Sequence, residues 1–140
     1  MHVFLALVLF LAWQFDAHAG AILVVVVNPA SGVETLTRED VINIFLGRYR
    51  RLPSGILAQP IDQPTGQAAK ALFYKLLVNK DLADINSYWS RLIFSGKTKP
   101  PWQAHDSREV VKWVSTLSGA IAYMPLDQVD AQCKIVLRFD

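Results

Sequence analysis

The stretch Ala21–Val27, AILVVVV, is a short, continuous apolar run dominated by β-branched side chains. It lacks the polar alternation of a strand with one wet face, so it reads as a strand buried on both faces, in a parallel or mixed sheet. Asn28-Pro29-Ala30-Ser31-Gly32 closes it with turn chemistry. Thr37-Arg38-Glu39-Asp40 then sets a hydroxyl cap three residues before a carboxylate, a capping box with Asp in place of the usual Glu or Gln. The helix it opens carries Val41, Ile44 and Phe45 on one face and stops at Gly47.

Working outward from this strand and helix, the same two periods recur. Arg48-Tyr49-Arg50-Arg51 and Leu52-Pro53-Ser54-Gly55 form a basic turn. Ile56–Ile61 reads as a second strand, with Pro60 marking its end or a sheet edge. The loop Asp62-Gln63-Pro64-Thr65-Gly66 leads into a helix from about Gln67 to Val78, apolar at Ala68, Leu72, Phe73, Leu76 and Leu77. Asp81 caps a helix running to about Phe94, with Leu82, Ile85, Tyr88, Trp89 and Leu92 facing inward. Ser95–His105, with Pro100-Pro101, reads as a surface loop. Asp106 and Glu109 cap a further helix bearing Val110, Val111, Trp113 and Val114, ended by Ser118-Gly119. Ala120–Met124 and Cys133–Phe139 are the last strands. The order β-α-β-α-α-α-β-β predicts one α/β layer domain, a mixed β-sheet flanked by helices.

Upstream, Val3–Trp13 is uncharged and about the length of a signal h-region. It is too short to cross a bilayer as a helix. Ala17-His18-Ala19 before Gly20 supplies small side chains at a cleavage site. Residues 1–19 are therefore read as a signal peptide and residues 20–140 as the exported domain. The alternative is an uncleaved anchor, and no Cys near the site allows a lipid anchor. The segment accounts for a mean hydropathy of +0.25 in a chain that is 52% hydrophobic and 19% charged.

These proportions exclude a mainly disordered chain, and a single Cys among 140 residues excludes a disulfide scaffold. A net charge of +2 gives no argument for nucleic acid. No nucleophile–base pair, metal-ligand spacing or Gly-rich nucleotide loop is present, so no catalytic residue, metal or cofactor is expected. His105 beside Asp106 reads as a solvated side chain, and Cys133 as a small buried one. Tyr88, Trp89, Trp102 and Trp113 read as core or loop anchors. Asp62-Gln63-Pro64-Thr65-Gly66-Gln67 follows a strand and opens a helix, where free N–H groups and the helix dipole favour an anion. The competing reading is plain capping by Asp62 or Thr65.

Leu36–Gly47, LTREDVINIFLG, resembles the "L-S-x-x-x-L-x-x-I-F-x-G" segment of the phosphate-binding-protein family, the periplasmic receptors of phosphate ABC transporters. Ser118-Gly119-Ala120-Ile121-Ala122-Tyr123 resembles that family's "P-G-A-I-G-Y". Tyr88–Lys97 with Pro100-Pro101 is similar to a short, one-lobe branch usually labelled phosphate-transporter substrate-binding-like. The resemblance implies one lobe of a type-2 periplasmic-binding fold. It also implies a non-catalytic periplasmic solute-binding protein for phosphate or a similar small oxyanion. The family's anion loop, "R-S-D-G-S-G-T", corresponds to Ile61–Gln67. Thr65 stands for the serine and Gly66 is kept, while Ile61 replaces the arginine and Gln63 the acidic residue. The expected oxyanion ligands are Thr65, Gly66 and Gln67, with Ser31 and Gly32 as further candidates. Expected partners are the oxyanion and a membrane transporter or envelope protein, with a homo-oligomer left open and nucleic acid excluded. The second reading is an envelope accessory domain that has lost ligand binding and makes contacts through Arg48–Arg51 and Lys97–Trp102.

Overall fold

The structure, a computed structural model, describes residues 22–140; the expected signal peptide lies outside them. Strand β1 (Leu23–Val27) leads into helix α1 (Arg38–Phe45), strand β2 (Gln59–Asp62), helix α2 (Ala68–Val78) and helix α3 (Leu82–Ser95). Strand β3 (Trp102–Gln103), helix α4 (Ser107–Thr116), strand β4 (Ala120–Pro125) and strand β5 (Lys134–Arg138) complete the order. The sheet runs β3-β2-β4-β1-β5. It is mixed: β2 pairs in parallel with β3 and β4, while β1 is antiparallel to β4 and β5.

β1 is buried on both faces, as its composition requires. Leu23, Val25 and Val27 join one core with α1, α2 and α3; Val24 and Val26 join the other with Val110 and Val114 of α4. The strand's alternation thus feeds two helical layers at once. On the α1–α3 side, Phe73 of α2 stacks on Tyr123 of β4 with centroids 3.8 Å apart and planes 7° apart, and Phe45 meets Phe73 edge-on. On the α4 side the β4 residues are Ala120, Ala122 and Met124.

The local signals at helix starts hold. Thr37 Oγ1 accepts from the Asp40 N–H, and Asp40 Oδ2 accepts from the Thr37 N–H, closing the capping box. Asp81 and Asp106 accept from the N–H groups of Asp84 and Glu109. Gly47 takes φ 76° beyond α1, where a side chain would also strike Thr98.

Three expectations are corrected. The second strand is shorter and later than Ile56–Ile61; Pro60 sits inside it, not at its end. Gln59 N–H bonds the Gly119 carbonyl on the β4 side, so the N–H that Pro60 lacks would face the β3 side. There the pairing begins only at Ile61, so no ladder bond is lost. The expected loop Ser95–His105 contains β3, too short to announce itself by periodicity. α4 ends at Thr116 and not at Ser118-Gly119. Gly119 is needed instead for close approach: a Cβ there would lie 1.9 Å from the Leu57 carbonyl oxygen. Gly119→Ala should therefore destabilise the fold by about 1–3 kcal/mol or more, read as a lowered thermal midpoint. Phe73→Ala, which empties the centre of the aromatic stack, should cost about 3–5 kcal/mol in denaturant titration.

Candidate oxyanion site

β2 and the turn after it deliver Asp62 and Gln63 into the interior, 6% and 1% exposed. A carboxylate removed from water needs donors, and this one has them from two other elements. The Tyr74 hydroxyl of α2 lies 3.0 and 2.9 Å from the two Asp62 oxygens, and the Tyr123 hydroxyl of β4 donates to Oδ1 at 2.7 Å. Lys70 Nζ stands 3.9 Å from Oδ2, an ion pair too long for a hydrogen bond. Tyr123 Oη in turn accepts the Gln63 N–H at 3.1 Å, and Gln63 Nε2 donates to the Tyr123 carbonyl at 3.0 Å. Gln63 Oε1 is buried without a partner among the described residues.

The network keeps the protons of both phenols. Burial raises the Asp62 pKa, opposed by the Lys70 charge and the two phenol donors. Burial and the Asp62 carboxylate push both Tyr74 and Tyr123 well above their usual value of 10.0, so they remain donors. A carboxyl whose pKa is raised on folding binds its proton more tightly in the folded state. Its contribution is full below the usual 3.8 and is lost as pH rises through the raised value. The stability of the wild type relative to Asp62→Asn should therefore fall with rising pH across that window, as urea titrations of both at a series of pH values will show. Tyr123→Phe strips a donor from Asp62 and the acceptor of Gln63 N–H. It should cost about 1–3 kcal/mol, more than Tyr74→Phe, which removes one donor only.

With Asp62 drawn inward, the N-terminus of α2 is left open. Thr65, Gly66 and Gln67 are exposed at the strand-to-helix junction, and no side chain caps the helix. The capping reading for Asp62 or Thr65 is thus corrected: Asp62 is held by the tyrosines. Thr65 Oγ1 meets only Gln103 Nε2, at 3.4 Å. Gln67 N–H bonds the Pro64 carbonyl at 2.9 Å and Lys70 N–H the Gln67 carbonyl at 3.1 Å, which leaves the N–H groups of Ala68 and Ala69 to carry the field of the helix start.

Ser31 and Gly32 are elsewhere. Val27 of β1 pairs with Ile121, and Ile121 pairs with Pro60 at the start of β2. The turn after β1 and the turn after β2 therefore lie at opposite ends of the sheet. Ser31 is fully buried, and its Oγ accepts from the Val33 N–H at 3.2 Å. Gly32 takes φ 76° against the Ser54 side chain. The five candidates form two separate places, not one. Ile61 is 1% exposed in the α4-side core. His105 is exposed, and Cys133 is buried with its thiol pushed up to about 11 by burial first.

Among solved structures, an ABC-type phosphate transport receptor from Vibrio cholerae matches 83% of this chain with a TM-score of 0.65 and 16% identity. The fold is that of one lobe of a phosphate-transport receptor. A Clostridium perfringens protein, assigned as a phosphate ABC transporter substrate-binding protein and solved with bound phosphate, matches at TM-score 0.62 and 15% identity. PstS from Borrelia burgdorferi matches at TM-score 0.62 and 15% identity. Each match covers 83% of this chain but only 45–47% of the receptor, so the chain spans under half the length of the receptors it matches. No protein-family model and no curated protein matches the sequence.

The network around Asp62 was not legible as such in the sequence. The carboxylate, Tyr74 and Tyr123 are far apart in the chain, and Tyr74 and Tyr123 each look like core aromatics. The one available signal was an Asp directly after a buried strand residue, opening a loop whose helix it does not cap.

Proposed function

We propose that this chain is a non-catalytic, exported solute-binding protein that takes phosphate or a similar small oxyanion at the N-terminus of α2. Thr65 supplies a hydroxyl, Gly66 its backbone N–H and Gln67 its side-chain amide, since the Gln67 N–H is taken by the Pro64 carbonyl, and the helix dipole supplies the field. The observation that carries the reading is the uncapped start of an eleven-residue helix at the carboxyl end of a sheet strand. It stands within a fold shared with phosphate receptors. That likeness weighs for a retained ligand site over an accessory domain that has lost one. Export through residues 1–19 to the periplasm, and a membrane transporter as the receiver of the ligand, belong to the same proposal. Among the described residues, no helix is long and apolar enough to cross a membrane.

The site differs chemically from one built on arginine. With Ile61 in the core, no guanidinium forks onto the anion, and Lys70 already faces Asp62. Binding should therefore be weak and should fall as salt screens the helix field. Gln63 carries no carboxylate to accept a proton from hydrogen phosphate, so phosphate and sulfate should bind within a few-fold of each other. Calorimetric titration at low and moderate salt reads both expectations. Gly66→Pro, which deletes an N–H at the junction, should weaken binding by about tenfold, the worth of one charge-assisted hydrogen bond. An intact fold giving no heat at millimolar phosphate would sink the reading.

A further inference from the structure

A groove of about 580 Å³ runs between the basic turn after α1 and the loop before β3. It shares none of Thr65, Gly66 and Gln67. Arg50, Lys97 and Lys99 line it, and no Asp or Glu does. Its walls are fixed: Arg50 Nη2 donates to the Lys97 carbonyl at 3.1 Å, and the absent side chain of Gly47 lets Thr98 and the Trp89 ring close against the backbone. Three large apolar side chains stand exposed on it, Tyr49 at 49%, Leu57 at 62% and Trp102 at 47%. Trp102 is held in place edge-on to Trp113, centroids 5.4 Å apart. Such side chains held at a surface mark a contact site, and Arg with aromatic residues is the composition of interface cores.

We infer that this groove docks an extended, acidic segment of a partner protein that also carries aliphatic side chains. Charge complementarity selects an acidic segment: three cations line the groove with no acid among them, on a chain whose net charge is only +2. The aliphatic lining of Leu57, Pro60 and Pro100 selects a peptide over a nucleic acid, which would use the aromatic rings and cations but gain little from aliphatic side chains. Pro60 also removes the N–H that would face the groove, so the segment binds through its side chains and not as an added strand. The surface is distinct from the oxyanion site and does not depend on it.

Short random peptides displayed on phage, selected against the purified protein, provide the test. The expected winners mix Asp and Glu with Leu, Ile or Val. By fluorescence anisotropy, the double variant Lys97→Glu, Lys99→Glu should bind them about tenfold or more weakly, with an unchanged circular-dichroism melt, since both side chains are exposed. Gly66→Pro should leave the peptide affinity unchanged, which separates this result from failure of the oxyanion site. The inference is overturned by winners without acidic residues, or by equal binding to the charge-reversed variant. Tighter binding of oligothymidylate than of the peptides overturns it too, as does self-association abolished by the same reversal, which would make the groove's occupant a second copy of the chain.

Discussion

Both helical layers rest on one strand. β1 has no wet face, so each of its residues must find an apolar neighbour, and successive residues must find it on opposite sides. That requirement places α1, α2 and α3 on one side of the sheet and α4 on the other. It also seats β4 and β5 beside β1, because a fully buried backbone must pair all its polar groups. The small Ala120 and Ala122 on the α4 side, against the large Tyr123 on the other, make the two layers unequal. The aromatic mass lies with α2.

That inequality shapes the end of β2. Tyr123 and Tyr74 come from the aromatic side, and their hydroxyl ends reach the place where β2 delivers Asp62. A carboxylate that could have capped α2 is instead bound to two phenols and faced by Lys70. The start of α2 is left with its own N–H groups as the local positive field. The positive field at that end of the sheet comes from the backbone and not from a side chain. Lys70, the nearest cation of the first turn, is already neutralised by Asp62.

Much of the fold was legible because its causes are local. The β-branched run of β1, the capping box at Thr37 and Asp40, and the Asp81 and Asp106 caps each operate within a few residues, and the structure keeps all of them. The strand-to-helix junction at Thr65–Gln67 was legible for the same reason. Where the sequence reading failed, the cause was remote in the chain. β3 exists because Ile61 and Asp62 offer an edge to Trp102 and Gln103. Gly119 is small because of Leu57, not because a helix ends there. Ser31 and Thr65 resemble each other locally, yet strand direction sends them to opposite ends of the sheet.

By itself the sequence determined the element types, the helix starts and an α/β domain, since dihedral preference, capping and hydrophobic period are set by near neighbours. Only the tertiary structure decided which end of each strand faces which loop, that Asp62 turns inward, and that Arg50 and Lys97 share a groove. Those outcomes depend on strand order and direction, and on groups distant in the chain competing for the same buried donors and acceptors, which no local pattern encodes.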